Sequence, residues 1–177
     1  RHIEFLQGGR ARIRFRGKSG SDQEIVLDDA RLTRVVRHIQ QLPGQALFQY
    51  VDDDGKPQPV DSGTVNDYLR DAMGEDFTAK DFRTWGATLS ALRLLADEPV
   101  PLKDNGSLNQ RVANARCNVV VARVASRLRN TPAVCRKSYI DPVLFAAWED
   151  GRLARITEGA RGPRQWEQCA LRLLRTA

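Results

Sequence analysis

The feature that most constrains this chain is a change of hydrophobic period at Asp28. Upstream of it apolar residues alternate: Ile3 with Phe5, then Ile13 with Phe15, followed by the short apolar run Ile25-Val26-Leu27. A period of two sends successive side chains to opposite faces of a strand. Gly8-Gly9 and Gly17-Lys18-Ser19-Gly20 supply turn residues between the runs. Residues 1–28 are therefore expected to form a small three-stranded antiparallel sheet, with Lys18 in or beside its second turn.

Downstream the period is helical. Leu32, Val35, Val36, Ile39 and Leu42 mark one apolar face, ended by Pro43-Gly44. Asp52-Asp53-Asp54-Gly55-Lys56-Pro57 reads as a loop. Ser62 is placed to cap a helix carrying Val65, Tyr68 and Leu69, and Thr78 to cap one running through Phe82, Trp85, Leu89, Leu92 and Leu95. Beyond Pro99 and Pro101 a long helix is expected from about Leu108 to Arg129, burying Val112, Val119, Val120, Val124 and Leu128. Pro132 suits the first turn of a short helix. Two more helices are expected near Val143–Trp148 and Gln165–Leu174. The fold class is α+β and mainly α, one domain with a sheet over 1–28 and a helical part over 29–177.

Charge narrows the partners. The chain carries 28 basic and 22 acidic side chains, a net charge of +6, and arginine far outnumbers lysine. Bound Lys and Arg release the counterions condensed on nucleic acid, and a guanidinium holds phosphate in a bidentate fork. No apolar run approaches the roughly 18 residues of a membrane-spanning helix, and no basic-then-apolar secretory segment opens the chain. Arg1-His2-Ile3-Glu4-Phe5 reads as the start of a strand with no initiator Met, so a piece of a longer protein is expected.

Several motifs carry no chemistry. Cys117, Cys135 and Cys169 lie far apart, and neither they nor His2 and His38 have metal-ligand spacing, so reduced thiols and no metal are expected. Gly17-Lys18-Ser19 resembles the end of a nucleotide-binding phosphate loop, but Arg12 stands where that loop needs glycine. Asp52-Asp53-Asp54 lacks the spacing and closing glutamate of a calcium loop. Asn105-Gly106-Ser107 reads as a turn.

Three segments do carry chemistry, in this order: Arg16-Gly17-Lys18 at a strand turn, Lys80-Asp81-Phe82-Arg83-Thr84-Trp85-Gly86 on a helix, and Asn130-Thr131-Pro132-Ala133-Val134-Cys135-Arg136-Lys137-Ser138-Tyr139 after the long helix. Together they resemble the catalytic domain of poxvirus-like and bacterial type IB DNA topoisomerases, over residues 1 to about 150. The second and third segments are the specific ones; a lone Gly-Lys is not. The resemblance implies that Tyr139 attacks a phosphodiester of double-stranded DNA, leaving a 3′-phosphotyrosyl bond and a free 5′-hydroxyl that later reverses the step. The bond energy is kept, so no cofactor, ATP or metal is implied.

The residue types suit that chemistry. Phosphoryl transfer needs an in-line nucleophile, cations around the non-bridging oxygens and an acid for the leaving oxygen. A free tyrosine ionises near pH ~10, so only about 0.1% is phenolate at neutral pH and cations must assist it. By resemblance, Arg83 donates to the non-bridging oxygens and Lys18 protonates the 5′-oxygen. Asn130 stands where the poxvirus pattern has histidine; an amide still donates to phosphate but cannot act as an acid. Lys80, one turn before Arg83, together with Arg136 and Lys137, is expected to contact DNA. A further catalytic arginine and a DNA-clamping N-terminal domain are expected to precede Arg1. The resemblance also implies a bacterial source, in the cytoplasm and associated with the nucleoid, and nothing in the sequence demands more than a monomer.

Two other readings share some of these features. A tyrosine recombinase has the same nucleophile, but usually shows His-x-x-Arg where this chain has Lys80-x-x-Arg83. A non-enzymatic DNA-binding module accounts for the basic charge and leaves the ordered Lys, Arg, Asn and Tyr segments unexplained.

Overall fold

The computed structural model describes residues 2–17, 20, 22–43, 46–74 and 76–175. It forms two compact units, Arg1–Ala72 and Met73–Ala177.

In the first unit β1 (Ile3–Leu6), β2 (Arg10–Arg16) and β3 (Asp22–Leu27) make an antiparallel sheet in the order β1-β2-β3. The register pairs Ile3 with Ile13 and Ile13 with Ile25. Period-two alternation puts Ile3, Ala11 and Ile13 on the buried face. On the other face Arg12 reaches Glu4 at 3.1 Å and Glu24 at 3.6 Å, and Arg14 reaches Glu24 at 2.9 Å. The Gly8-Gly9 turn needs glycine: Gly9 has φ +72°, and an added Cβ would lie 2.9 Å from the Cβ of Ala30.

Helix α1 (Ala30–Ile39) starts where the Asp29 carboxylate accepts the N–H groups of Arg31 and Leu32. Thr33 and Val36 are its buried positions, whereas Leu32 and Val35 are 54% and 58% exposed. The apolar face expected on α1 is thus only partly covered within this unit. A second ribbon pairs β4 (Gln49–Val51) with β5 (Pro57–Pro59). The aspartate run is its turn, where Asp52 accepts from the N–H groups of Asp54 and Lys56 and from the Gln58 amide. Helix α2 (Ser62–Met73) is capped by Asp61, which accepts the N–H of Thr64 at 2.8 Å, so Ser62 does not serve as the cap.

The second unit holds α3 (Ala79–Ala96), α4 (Gln110–Leu128), α5 (Pro132–Ser138), α6 (Val143–Glu149), α7 (Arg152–Thr157) and α8 (Pro163–Arg175). Its core joins Leu92 and Leu95 of α3, Val120 and Val124 of α4, Leu144 and Trp148 of α6, Leu153 of α7 and Leu173 of α8. The Trp148 indole N–H donates to the Glu98 carbonyl at 2.8 Å. Helix α3 begins at Thr78, whose N–H and hydroxyl both donate to the Asp81 carboxylate.

Two expected core positions on α4 are corrected. Val112 and Val119 are 36% and 51% exposed, and the buried stripe is Ala113, Cys117, Val120, Val121 and Val124. Neighbouring residues lie about 100° apart around a helix, so Val119 points well away from Val120 despite equal hydrophobicity. Helix α7, six residues after Gly151, falls between the helices expected from sequence. Among the described residues, no helix is long and apolar enough to cross a membrane, and no group of three or more His, Cys, Asp or Glu is placed to hold a metal ion. Cys117, Cys135 and Cys169 are free and buried.

Candidate active site

The site is built where α4 stops. Arg129 turns into the left-handed region at φ 53° and ψ 47°, and its N–H bonds back to the carbonyls of Ala125 and Ser126. Asn130 N–H then reaches the Ala125 carbonyl at 2.9 Å. Among the described residues Arg129 is the only non-glycine with positive φ. An L-residue there costs roughly 1–2 kcal/mol, and glycine is the usual occupant. The cap ends α4 abruptly and leaves the Leu128 carbonyl open.

Helix α5 restarts at once. The Thr131 hydroxyl accepts the N–H of Val134 at 3.3 Å, and Pro132 fills the first turn, where a missing N–H costs nothing. After seven residues it ends at Tyr139, whose N–H bonds to the Cys135 carbonyl at 3.0 Å. Ile140 is buried, and Asp141 caps α6 by accepting the N–H of Val143 at 2.9 Å.

Arg83 of α3 joins these pieces. Its guanidinium donates to the Leu128 carbonyl. Its Cζ also lies 5.3 Å from the centre of the Tyr139 ring, within cation–π range. One cation therefore bridges α3, the end of α4 and the tyrosine after α5. The Cys135 thiol is pushed up by burial, with the Arg83 charge acting in the opposite direction. The Asn130 side-chain nitrogen is buried and has no hydrogen-bond partner among the described residues. A buried donor left unmade costs about 1–3 kcal/mol, so this amide is a group in need of an acceptor.

The structure thus brings Arg83 and Tyr139 together and places Asn130 nine residues before the tyrosine, two residues beyond the carbonyl that holds Arg83. Lys18 lies outside the described residues. Lys80 is exposed on α3, one turn before Arg83. Arg136 is engaged within the unit: it donates to the Asn118 side-chain oxygen at 3.1 Å and its Cζ stacks 4.7 Å from the Phe145 ring centre. Lys137 and Tyr139 line a mainly apolar cleft of about 470 Å³, walled by Phe77, Phe82, Trp85 and Ile140. Arg83 and Asn130 do not line that cleft, which shares only Tyr139 with the arginine–tyrosine contact.

One interaction was not foreseen from sequence. Thr88, 2% exposed on α3, donates its hydroxyl to the Tyr139 carbonyl at 3.2 Å, and the Asp141 N–H donates to that hydroxyl at 3.4 Å. A threonine inside an amphipathic helix gives no sequence signal for such a bond.

The chain thus carries a small sheet followed by a helical unit in which a guanidinium lies over a tyrosine at a helix junction. The chain matches the family model described as eukaryotic DNA topoisomerase I, catalytic core, over residues 1–144, a span that ends five residues beyond Tyr139. It belongs to that family, the type IB DNA topoisomerases. It is also 32% identical over 147 residues to a DNA topoisomerase 1B of Acanthamoeba polyphaga mimivirus. That alignment covers 79% of this chain and 42% of the viral protein. The relative is viral and the family model is described as eukaryotic, so neither supports the bacterial source implied by the sequence resemblance.

Proposed function

We propose that this chain is the catalytic core of a DNA topoisomerase that relaxes supercoiled double-stranded DNA, acting as a monomer through a transient 3′-phosphotyrosyl bond, without ATP or metal. The observation that carries this reading is the Arg83 guanidinium set between the Leu128 carbonyl and the Tyr139 ring. A cation held against the ring of the nucleophile supports a role in stabilising charge on the phosphate that the tyrosine attacks.

In the cleavage step the Tyr139 oxygen attacks phosphorus and the bond from phosphorus to the 5′-oxygen breaks. The phenol gives up one proton and the leaving oxygen takes one up, so protons balance. Arg83 stabilises charge on a non-bridging oxygen, where a preorganised donor acts most strongly. The unpaired Asn130 amide finds its acceptor in a second non-bridging oxygen. Lys18 serves as the acid. Lys80 and Lys137 steer neighbouring phosphates, and Arg136, tied to Asn118 and Phe145, acts on DNA indirectly by holding α5 in place. Religation is the same step in reverse after the cut strand has swivelled.

The test mixes the natural full-length protein containing this chain with supercoiled plasmid, EDTA present and ATP absent, beside its Tyr139→Phe variant. Relaxation by wild type alone supports the reading. Relaxation by both, or by neither, removes it.

A further inference from the structure

The nucleophile's position depends on main chain that lies outside any helix. Tyr139 follows the last residue of α5 at φ −130° and ψ −21°, and only its N–H is held by the α5 turn. Its carbonyl is held from another helix by the Thr88 hydroxyl at 3.2 Å. The Thr88 oxygen in turn accepts the Asp141 N–H at 3.4 Å, so one hydroxyl donates on one side and accepts on the other, spanning the Tyr139–Asp141 main chain. Thr88 is 2% exposed and Ile140, between the two tied residues, is 3% exposed. The two bonds are part-buried, so losing the hydroxyl would remove a donor from the Tyr139 carbonyl and an acceptor from the Asp141 N–H.

Thr88 also shares a helix with Arg83, five residues along α3. The phosphate-directed cation and the anchor of the tyrosine are therefore parts of one rigid element. We infer that Thr88 is a positioning residue: its hydroxyl fixes the Tyr139–Asp141 main chain on α3, holding the nucleophile in register with Arg83. The inference rests on the transesterase reading of Tyr139. Reaction rates respond steeply to such registers, since a misplacement of about 1 Å can cost on the order of 100-fold.

The experiment compares wild type, Thr88→Val and Thr88→Ser in the natural full-length protein. It measures single-turnover covalent capture of a nicked DNA duplex at saturating protein, the dissociation constant for the same DNA, and hydrogen exchange at the Asp141 amide. Thr88→Val keeps the shape and loses the hydroxyl; it is expected to slow capture by about 10-fold or more with DNA affinity unchanged. Its Asp141 amide is expected to exchange faster than in wild type. Thr88→Ser restores the hydroxyl and is expected to return both capture and exchange close to wild type. Should Thr88→Val fail to fold, Thr88→Ala takes its place against Thr88→Ser with the same expected order. Capture at the wild-type rate without the hydroxyl overturns the inference, as does a serine variant as slow as the variant lacking the hydroxyl. Parallel loss of affinity and rate overturns it too. Wild type that captures no DNA overturns the transesterase reading and this inference together, so the two failures are told apart.

Discussion

The two units differ in how several of their arginines are held, although Arg152 of the second meets Asp150 at 2.7 Å and Arg37 of the first lies over the Phe5 ring. Residues 1–72 carry eleven basic and eleven acidic side chains, whereas residues 73–177 carry seventeen basic and eleven acidic, so the second unit holds the whole net charge of +6. In the first unit Arg12, Arg14 and Arg16 face Glu4, Glu24 and Asp22, and their charge is cancelled locally. In the second, Arg83, Arg116 and Arg136 are held by neutral acceptors: the carbonyls of Leu128 and Pro99 and the Asn118 amide. Arg83, Arg93 and Arg136 also lie over the rings of Tyr139, Trp166 and Phe145. A carboxylate orients a guanidinium and neutralises it; a carbonyl or ring orients it and leaves its charge available to an anion. The difference shows how a helical unit can be both rigid and electropositive.

The largest test of this contrast concerns packing. Trp148→Ala should remove about 3–5 kcal/mol from residues 73–177, because it empties the centre of a core shared by α3, α4, α6, α7 and α8. Val36→Ala, in the small core with Ile3 and Ile13, should cost only about 1–2 kcal/mol. Urea unfolding of each variant measures both, and equal losses would erase the distinction in packing.

Next comes the charge left available. Arg83→Ala should slow covalent DNA capture by about 100- to 1000-fold, the effect of removing one preorganised donor. Arg83→Lys should recover only part of that loss, because a lysine lacks the fork. Arg14→Ala, which removes a guanidinium already matched by Glu24, should leave capture within about twofold. If Arg14 matters as much as Arg83, the contrast between compensated and uncompensated arginines fails.

Smaller effects refine it. Replacing Lys80 and Lys137 by alanine should flatten the plot of log affinity for DNA against log salt, by about 0.9 for each phosphate that is no longer neutralised. Glu24→Gln should change the stability of the first unit by no more than about 1 kcal/mol, as exposed ion pairs do. Asp81 gives a pH signature. Its carboxyl is held below the usual carboxylate range by the Thr78 hydroxyl and N–H. A depressed value means that its stabilisation is present above the ordinary aspartate value of about 3.9 and is lost as pH falls through the lower folded value. Asp81→Asn should remove that acid-side loss, seen as a flatter melting temperature below about pH 4.

The strands and main helices were legible because pattern and burial agree where one face is covered. Ile3, Ile13 and Val36 are buried as alternation and helical spacing require, and α3 and α4 begin and end within two residues of their expected bounds. The misses have identifiable causes. Val112 and Val119 are hydrophobic but lie off the buried stripe of α4, and composition does not reveal angle. Ser62 and Asp61 are both good caps, and the choice between them depends on where the chain leaves the β4–β5 ribbon. At the site, residue types and order pointed to Arg83, Asn130 and Tyr139. The acceptor that holds Arg83 and the hydroxyl beneath Tyr139 come from tertiary packing between helices, which leaves no mark in a local window of sequence.

The carbonyl that steadies Arg83 has a genetic consequence. It belongs to the main chain at Leu128, so any other side chain at that position still leaves an oxygen to receive the guanidinium. The interaction is sheltered from point substitution on its acceptor side. What can move it is the place where the peptide stops coiling, and that is governed by Arg129, an L-residue held where glycine is favoured. Heritable variation in how this cation is aimed would therefore be written in the grammar of helix ending rather than in the identity of the group it touches.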